Sequence, residues 1–352
     1  MAIDGDRLVA GSPKLDPAGT HYGAAYVFRR DAGGWTEEVR LTLPGSPGPG
    51  NAFGSSVAIE GDVVVVGAYE LDRAYVYRRN GTQWLEEAVL TGADTTTGDI
   101  FGWAVSISGG RIVVGAIYDH SSGQYAGSVY VFVWTGTNWV QEATLNGATG
   151  DVFGSAVSLS GDQLLIGAPG HNNGAGTGYV FARNPNGWVQ RAKLTASDAE
   201  AYDLFGGTVA LHGALAMVGA PRDSEAGFRA GALYVFQSRC GQWVQTQKLL
   251  PLPGDGLGVS LGMDGTHAVS NSYVYFTPPL PSCVPALSRW GVVVMILGIA
   301  AVAAVRSRKL PKLGTLVCAV AWTATASGFE PNFNAPHHPE HVLVRFKPAT
   351  TA

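Results

Sequence analysis

Charge is scarce in this chain of 352 residues: Asp, Glu, Lys and Arg make up 14% of it, and the formal net charge is -4. Bulk charge therefore gives no footprint for nucleic acid or acidic substrates, and no nucleic-acid partner is expected. Cysteine is scarcer still, at three residues. The count is odd, and Cys318 falls in the C-terminal tail, leaving Cys240 and Cys283. A disulfide between these two would suit an oxidising compartment, but sequence alone cannot bring their Cα atoms within the roughly 7 Å that a bridge needs. Helix-favouring stretches are almost absent before residue 290. Also missing are a catalytic triad, a Gly-rich phosphate loop, a paired-Cys metal site and any His that recurs with the repeat described next, so the chain is not expected to be an enzyme.

Glycine, by contrast, is abundant: 48 residues, spaced between short apolar runs. Val, Ile, Tyr, Phe and Trp cluster in runs bounded by Gly, Asn, Asp and Ser, the grammar of strands and tight turns. The runs repeat. Phe-Gly pairs stand at Phe53, Phe101, Phe153 and Phe205, each followed fourteen residues later by Gly-Ala, at Gly67, Gly115, Gly167 and Gly219. Leu257-Gly258 opens a degenerate further copy. Two strands joined by a Gly turn lie between these pairs, as in SSVAIEGDVVVVGA. A third strand carries Tyr26, Tyr75, Tyr130, Tyr179 or Tyr234, and a fourth runs from Trp35, Trp84, Trp139, Trp188 or Trp243 to Leu41, Leu90, Leu145, Leu194 or Leu249. A period near 50 residues with four antiparallel strands predicts an all-β propeller of four-stranded blades, about six visible and six or seven in the complete protein. Burial of the repeated Phe, Trp and Leu between neighbouring blades supplies the core.

These motif pairs resemble the FG-GAP repeats of the integrin α-subunit propeller and of bacterial secreted proteins, over residues 1–277. FG and GAP stand intact from Phe153 to Pro169 and from Phe205 to Pro221. The resemblance implies a propeller but no particular ligand. Integrin-type propellers bind calcium through a D-x-D-x-D-G loop, and no copy of it is present here. What remains are the pairs Asp94 with Asp99 and Asp198 with Asp203, ahead of Phe-Gly. Two carboxylates with backbone carbonyls would make at best a weak calcium site, and Asx-turn capping is the simpler role; otherwise no cofactor is expected.

The first copy lacks its Phe-Gly, and the sixth stops near residue 277 without a Trp strand, so the chain reads as N-terminally truncated. Residues 278–288 form a Pro-rich linker, and 289–309 a transmembrane helix with a basic flank. Its apolar core, residues 290–305, would rise about 24 Å as a helix, near the roughly 30 Å of a hydrocarbon layer. Arg306, Arg308, Lys309 and Lys312 follow it, which places that side in the cytoplasm and the propeller outside. Val284, Pro285, Ala286, Leu287, Ser288, Trp290 and Gly291, followed by the helix and the basic cluster, resemble the IPTL-CTERM sorting signal. That resemblance implies an exosortase-type partner enzyme and a Gram-negative cell envelope. Residues 310–352 read as a signal-peptide-like tail, either joined from a neighbouring gene or forming a second short membrane segment. His337, His338 and His341 within it lack carboxylate or Cys partners and read as a disordered tail.

The loops after each Gly-Ala pair differ in length and charge, giving one irregular face suited to recognition of a protein or glycan ligand. The expected function is non-catalytic, surface-displayed binding or adhesion, with an envelope enzyme acting on polysaccharide as the alternative.

Overall fold

The computed structural model describes residues 1–13, 23–43, 50–251, 257–263, 267–270, 273–276 and 344–345. Each sequence period folds as one antiparallel meander in which strands pair in chain order. Blade 1 comprises Ala2–Asp4, Arg7–Ser12, Ala24–Asp31 and Gly34–Leu41; blade 2 Phe53–Glu60, Val63–Ala68, Arg73–Asn80 and Gln83–Leu90; blade 3 Phe101–Ser108, Arg111–Ala116, Ser128–Trp134 and Trp139–Asn146. Blade 4 comprises Ala156–Ser160, Gln163–Ala168, Thr177–Asn184 and Gly187–Leu194, and blade 5 Thr208–His212, Leu215–Ala220, Ala232–Arg239 and Gln242–Leu249. A sixth, shorter sheet joins Gly262–Met263, His267–Ser270 and Tyr273–Phe276. The sequence leaves it with three strands, yet Val344 pairs with Val274 and Arg345 with Tyr273 to add a fourth. An unpaired edge strand offers a row of free backbone groups, which such a segment satisfies. No helix among the described residues is long and apolar enough to cross a membrane. The segments read as linker, sorting motif, transmembrane helix and tail, apart from residues 344–345, lie outside the described residues, as does Cys283. Cys240 is exposed at the turn between the last two strands of blade 5, in the left-handed region.

The first strands of all six sheets face one axis, where Ile3, Ile59, Ile107, Leu159, Leu211 and Met263 help line a cavity of about 340 Å³. Neighbouring first strands are latched at the same repeat position. Asp4 accepts the Gly61 N–H (2.6 Å), Glu60 that of Gly109 (2.8 Å), Ser108 that of Gly161 (3.2 Å) and Ser160 that of Gly213 (3.3 Å). Each latch satisfies a turn N–H that its own hairpin leaves unused.

The Phe-Gly and Gly-Ala pairs explain each other at the blade interfaces. Gly11, Gly67, Gly115, Gly167 and Gly219 abut the backbones of Gly54, Gly102, Gly154, Gly206 and Gly258 of the following blade, so closely that a Cβ on either side would overlap main chain. The second glycine of each contact has φ between +73° and +98°, a region that side chains rarely adopt. Beside this seam Phe53, Phe101, Phe153 and Phe205 are fully buried, each edge-on to aromatic rings of its own third strand, such as Tyr130 and Phe132 around Phe101. Leu257 takes the Phe position at the sixth sheet and is equally buried.

The tryptophans depart from the expected core role. Trp84 is 8% exposed, but Trp35 is 41% exposed, and Trp139, Trp188 and Trp243 are half-buried. Their position at the start of the outermost strand, where blades splay apart, explains the difference. Two of them end in a hydrogen bond to the preceding blade: Trp139 Nε1 donates to Glu87 (2.9 Å) and Trp188 Nε1 to Glu142 (3.3 Å). These glutamates, with Glu38, are the unpaired residues of a β-bulge that recurs between the third and fourth strands. A bulge re-aims a side chain, here across the seam. Glu142 thus binds Arg111 of its own blade (2.9 Å) and Arg183 of the next (2.7 Å), while Glu38 binds Arg7 (3.1 Å) and Arg79 (2.8 Å).

Burial alone would raise the carboxyl pKa values of Glu38 and Glu142, but the arginine hydrogen bonds more than offset this and hold both below the usual range. A depressed folded-state pKa contributes stability above the unfolded value and loses it as pH falls through the folded value. The unfolding midpoint is therefore expected to be flat near neutrality and to fall below about pH 4. Glu142→Gln should lower it at pH 7 and flatten that acid limb, as read from urea titrations at a series of pH values.

Candidate functional site

In each meander, the loops between the second and third strands emerge at the same end as the connections to the next blade. This loop end carries most of the polar side-chain networks. Three tiers of it repeat from blade to blade.

The first tier is an Asp or Asn two residues ahead of each buried Phe: Asn51, Asp99, Asp151 and Asp203, all buried. The residue between is held in the left-handed region although it is not glycine: Ala52 (φ 53°), Ile100 (63°), Val152 (53°) and Leu204 (57°). The polar side chain secures this turn. Asn51 accepts the Phe53 N–H (2.9 Å), Asp99 that of Thr96 (2.6 Å) and Asp203 that of Glu200 (2.9 Å). Only Asp99 and Asp203 stand out when acidic pairs are sought in the sequence. The signal that finds the others is the pattern polar-x-Phe-Gly, in which Asn substitutes for Asp.

The second tier is the third-strand Tyr. Tyr130 donates to Asp119 (2.7 Å) and Tyr234 to Asp223 (2.8 Å) and Asp198 (2.9 Å). Tyr179 donates to Asp151 (3.2 Å). Burial and this carboxylate push the Tyr179 hydroxyl up to about 12. The third tier is a cation one residue before the final Leu, lying over the Tyr ring: Arg40 over Tyr26, Lys193 over Tyr179 and Lys248 over Tyr234. Lys193 also reaches His171 Nε2 (2.7 Å), whose Nδ1 faces Asp151 (2.7 Å).

Blade 5 gathers the most charge. Lys248 meets Asp198 (2.6 Å), Asp223 (2.7 Å) and Glu225 (2.6 Å). Burial disfavours its charged form, yet the three carboxylates raise its pKa well above the ordinary lysine value. Asp198 is likewise held low, burial being outweighed by the bonds from Lys248 and Tyr234. Asp203 goes the other way: burial, with Asp223 and Glu200 nearby, raises it despite the Glu200 N–H.

The members of the pair Asp198 with Asp203 are thus engaged separately. Asp198 accepts from the Tyr234 hydroxyl, whereas Asp99 and Asp203 close their own loops. Calcium takes six to eight oxygens, and in the blade 5 cluster the ammonium of Lys248 already sits against Asp198 and Asp223. Among the described residues no group of three or more His, Cys, Asp or Glu is arranged to hold a metal ion.

A raised carboxyl pKa carries no penalty below the unfolded value; the penalty grows as pH rises past that value and is complete above the folded one. Asp203→Asn is therefore expected to raise the unfolding midpoint at pH 7 and to lose that advantage once pH is below the unfolded carboxyl value. Asn51, at the equivalent position of blade 2, shows that an amide can secure the turn. A lower midpoint at pH 7 would show that the negative charge itself is needed.

Four-stranded meanders set around one axis and sealed by glycine contacts define a β-propeller-like protein. The family model described as FG-GAP repeat matches residues 35–81, 84–132, 139–181 and 188–236, and the chain belongs to that family. Among solved structures, the WD40 repeats of RRP9 align with a TM-score of 0.49 at 14% identity, covering 77% of this chain and 71% of that one. No curated protein matches.

Proposed function

We propose that this protein is a non-catalytic binding or adhesion module displayed at a bacterial cell surface and held or sorted there through the segment around residues 284–309. The observation that carries the binding role is the placement of exposed aromatic side chains. Among the described residues these are Trp35 and, all at the loop end, Trp103, Tyr118, Tyr125, Tyr202 and Phe228. Large exposed aromatics gathered on one face are the usual mark of a recognition surface. The surface location is supported by the apolar stretch with its basic flank and by its likeness to a sorting signal. Fractionation of cells making the full chain is expected to leave the propeller on the outer side of a membrane, accessible to added protease. Replacing Pro285, Leu287 and Trp290 by Ala then separates a plain anchor, which still holds the protein, from a processed signal, which leaves an uncleaved precursor. A full-length product soluble in the cytoplasm overturns surface display.

A further inference from the structure

We infer that the loop end of blade 3 is a saccharide-binding site, in which Tyr118 and Tyr125 stack on a sugar ring and Trp103 with Tyr69 extends the platform. This rests on the reading of the propeller as a binding module and names its ligand class. Three observations converge on it.

The first is shape. Tyr118 and Tyr125 are 41% and 46% exposed, with ring centroids 5.4 Å apart and planes inclined at 69°. His120 lies 5.3 Å from Tyr125. Trp103, 39% exposed, packs 5.2 Å from Tyr69 of blade 2. The two aromatic pairs are joined through one short stretch of backbone: the Tyr118 N–H donates to Asp99 (3.0 Å) and the Trp103 N–H to Ile100 (3.3 Å). A site with two aromatic steps suits an oligomer better than a single sugar.

The second is rigidity. Blades 3 and 5 share the loop D-x-x-x-G-x-x-A-G, at Asp119–Gly127 and Asp223–Gly231. In both, the Asp carboxylate accepts the N–H two residues on and the third-strand Tyr hydroxyl, and its carbonyl accepts the N–H of the closing glycine. The loop tip is pinned to the next connection as well, the carbonyls of Gln124 and Tyr125 accepting from Gly150 (2.9 Å) and Val152 (3.0 Å). Tyr125 is fixed at φ 53°, and its counterpart Arg229 at 52°. The frame is constant while the displayed residues differ, Gln124-Tyr125 against Phe228-Arg229. A preformed aromatic platform loses little freedom on binding, which favours ligands that make few contacts. The Trp103 indole is fixed in the same way, donating to the Ser155 carbonyl (3.1 Å).

The third is chemistry. The exposed rings sit among Ser121, Ser122, Gly123 and Gln124, so apolar area comes as isolated flat faces within a hydrogen-bonding surround. A stable protein partner needs on the order of 1,000 Å² with a contiguous apolar centre. A pyranose offers the matching alternation, a C–H face for the ring and hydroxyls for the rim.

The test is calorimetric titration of the full chain with short soluble neutral glucans, mannans and N-acetylglucosamine oligomers, beside a protein array. Expected is saccharide binding that falls roughly tenfold or more in Tyr118→Ala and Tyr125→Ala. Tyr125→Phe, which keeps the face, and Trp35→Ala, at the opposite end, should retain it, and unchanged thermal unfolding separates lost binding from lost folding. Saccharide binding indifferent to both tyrosines overturns the site. Binding only to a protein on the array overturns the ligand class but leaves the binding module standing. Binding to neither overturns both.

Discussion

Alanine at Gly206 is expected to cost about 3 kcal/mol or more of folding stability, the largest effect for the smallest change in the molecule. Two penalties add. At φ +91° the backbone lies where a Cβ is strained, worth about 1 to 3 kcal/mol. The added methyl would also overlap the Thr177 carbonyl, with the Ala168 N–H next to it, and neither main chain can yield without opening the seam between blades 4 and 5. Overpacking of this kind costs a further roughly 1 to 3 kcal/mol. Gly213 is the internal control: it too has positive φ, but nothing lies within 4 Å of its missing Cβ. Gly213→Ala should therefore carry strain alone, about 1 kcal/mol. Urea unfolding of the two variants measures the difference, and equal midpoints would show that the glycine contact is not close in solution.

Phe205→Ala should cost about 3 to 5 kcal/mol. Phe205 is fully buried, edge-on to Tyr234 (5.2 Å between centroids) and Phe236 (6.0 Å), in a cluster that includes Leu165 and Val180 of the preceding blade. Its removal leaves a cavity walled by two blades, neither free to collapse into it. Trp188→Ala, which the repeat by itself would rank alongside, should cost about half as much because only part of the ring leaves water. An unfolding midpoint lowered equally by both substitutions would contradict the burial difference.

The Trp comparison shows where sequence was sufficient and where it was not. Periodicity finds the strands, because a run of alternating or continuous apolar residues between turn glycines has few other outcomes. It also finds the Phe-Gly and Gly-Ala pairs, but not that each completes the other across a seam, since the partners lie in different copies. The Trp positions recur just as regularly as the Phe positions. Recurrence shows that a residue matters to the blade without showing how deep it lies. Glu38, Glu87 and Glu142 pass unnoticed because a bulge residue breaks the strand alternation that would mark it as inward-facing. The polar loop end was least legible. Asp119 and Asp223 look like ordinary turn acids until the third-strand tyrosines, eleven residues further on, are seen to donate to them. The exposure that carries the binding proposal has no sequence signature, since Tyr118 and Tyr130 are the same residue type in one short stretch with opposite surroundings.

Among the described residues the bulge glutamate is present in blades 1, 2 and 3, and its position is occupied by Arg191 in blade 4 and Thr246 in blade 5. The ring is thus not equally fastened all the way round. In a protein built of like units, each joined to its neighbours, the weakest joint sets where opening begins. Because Glu142 reaches Arg183 and Trp188 of blade 4, amide exchange should accordingly spread from blade 5 and the sixth sheet toward the earlier blades, so that under partial denaturation blades 1 to 4 remain as one block with the loop end of blade 3 in its interior.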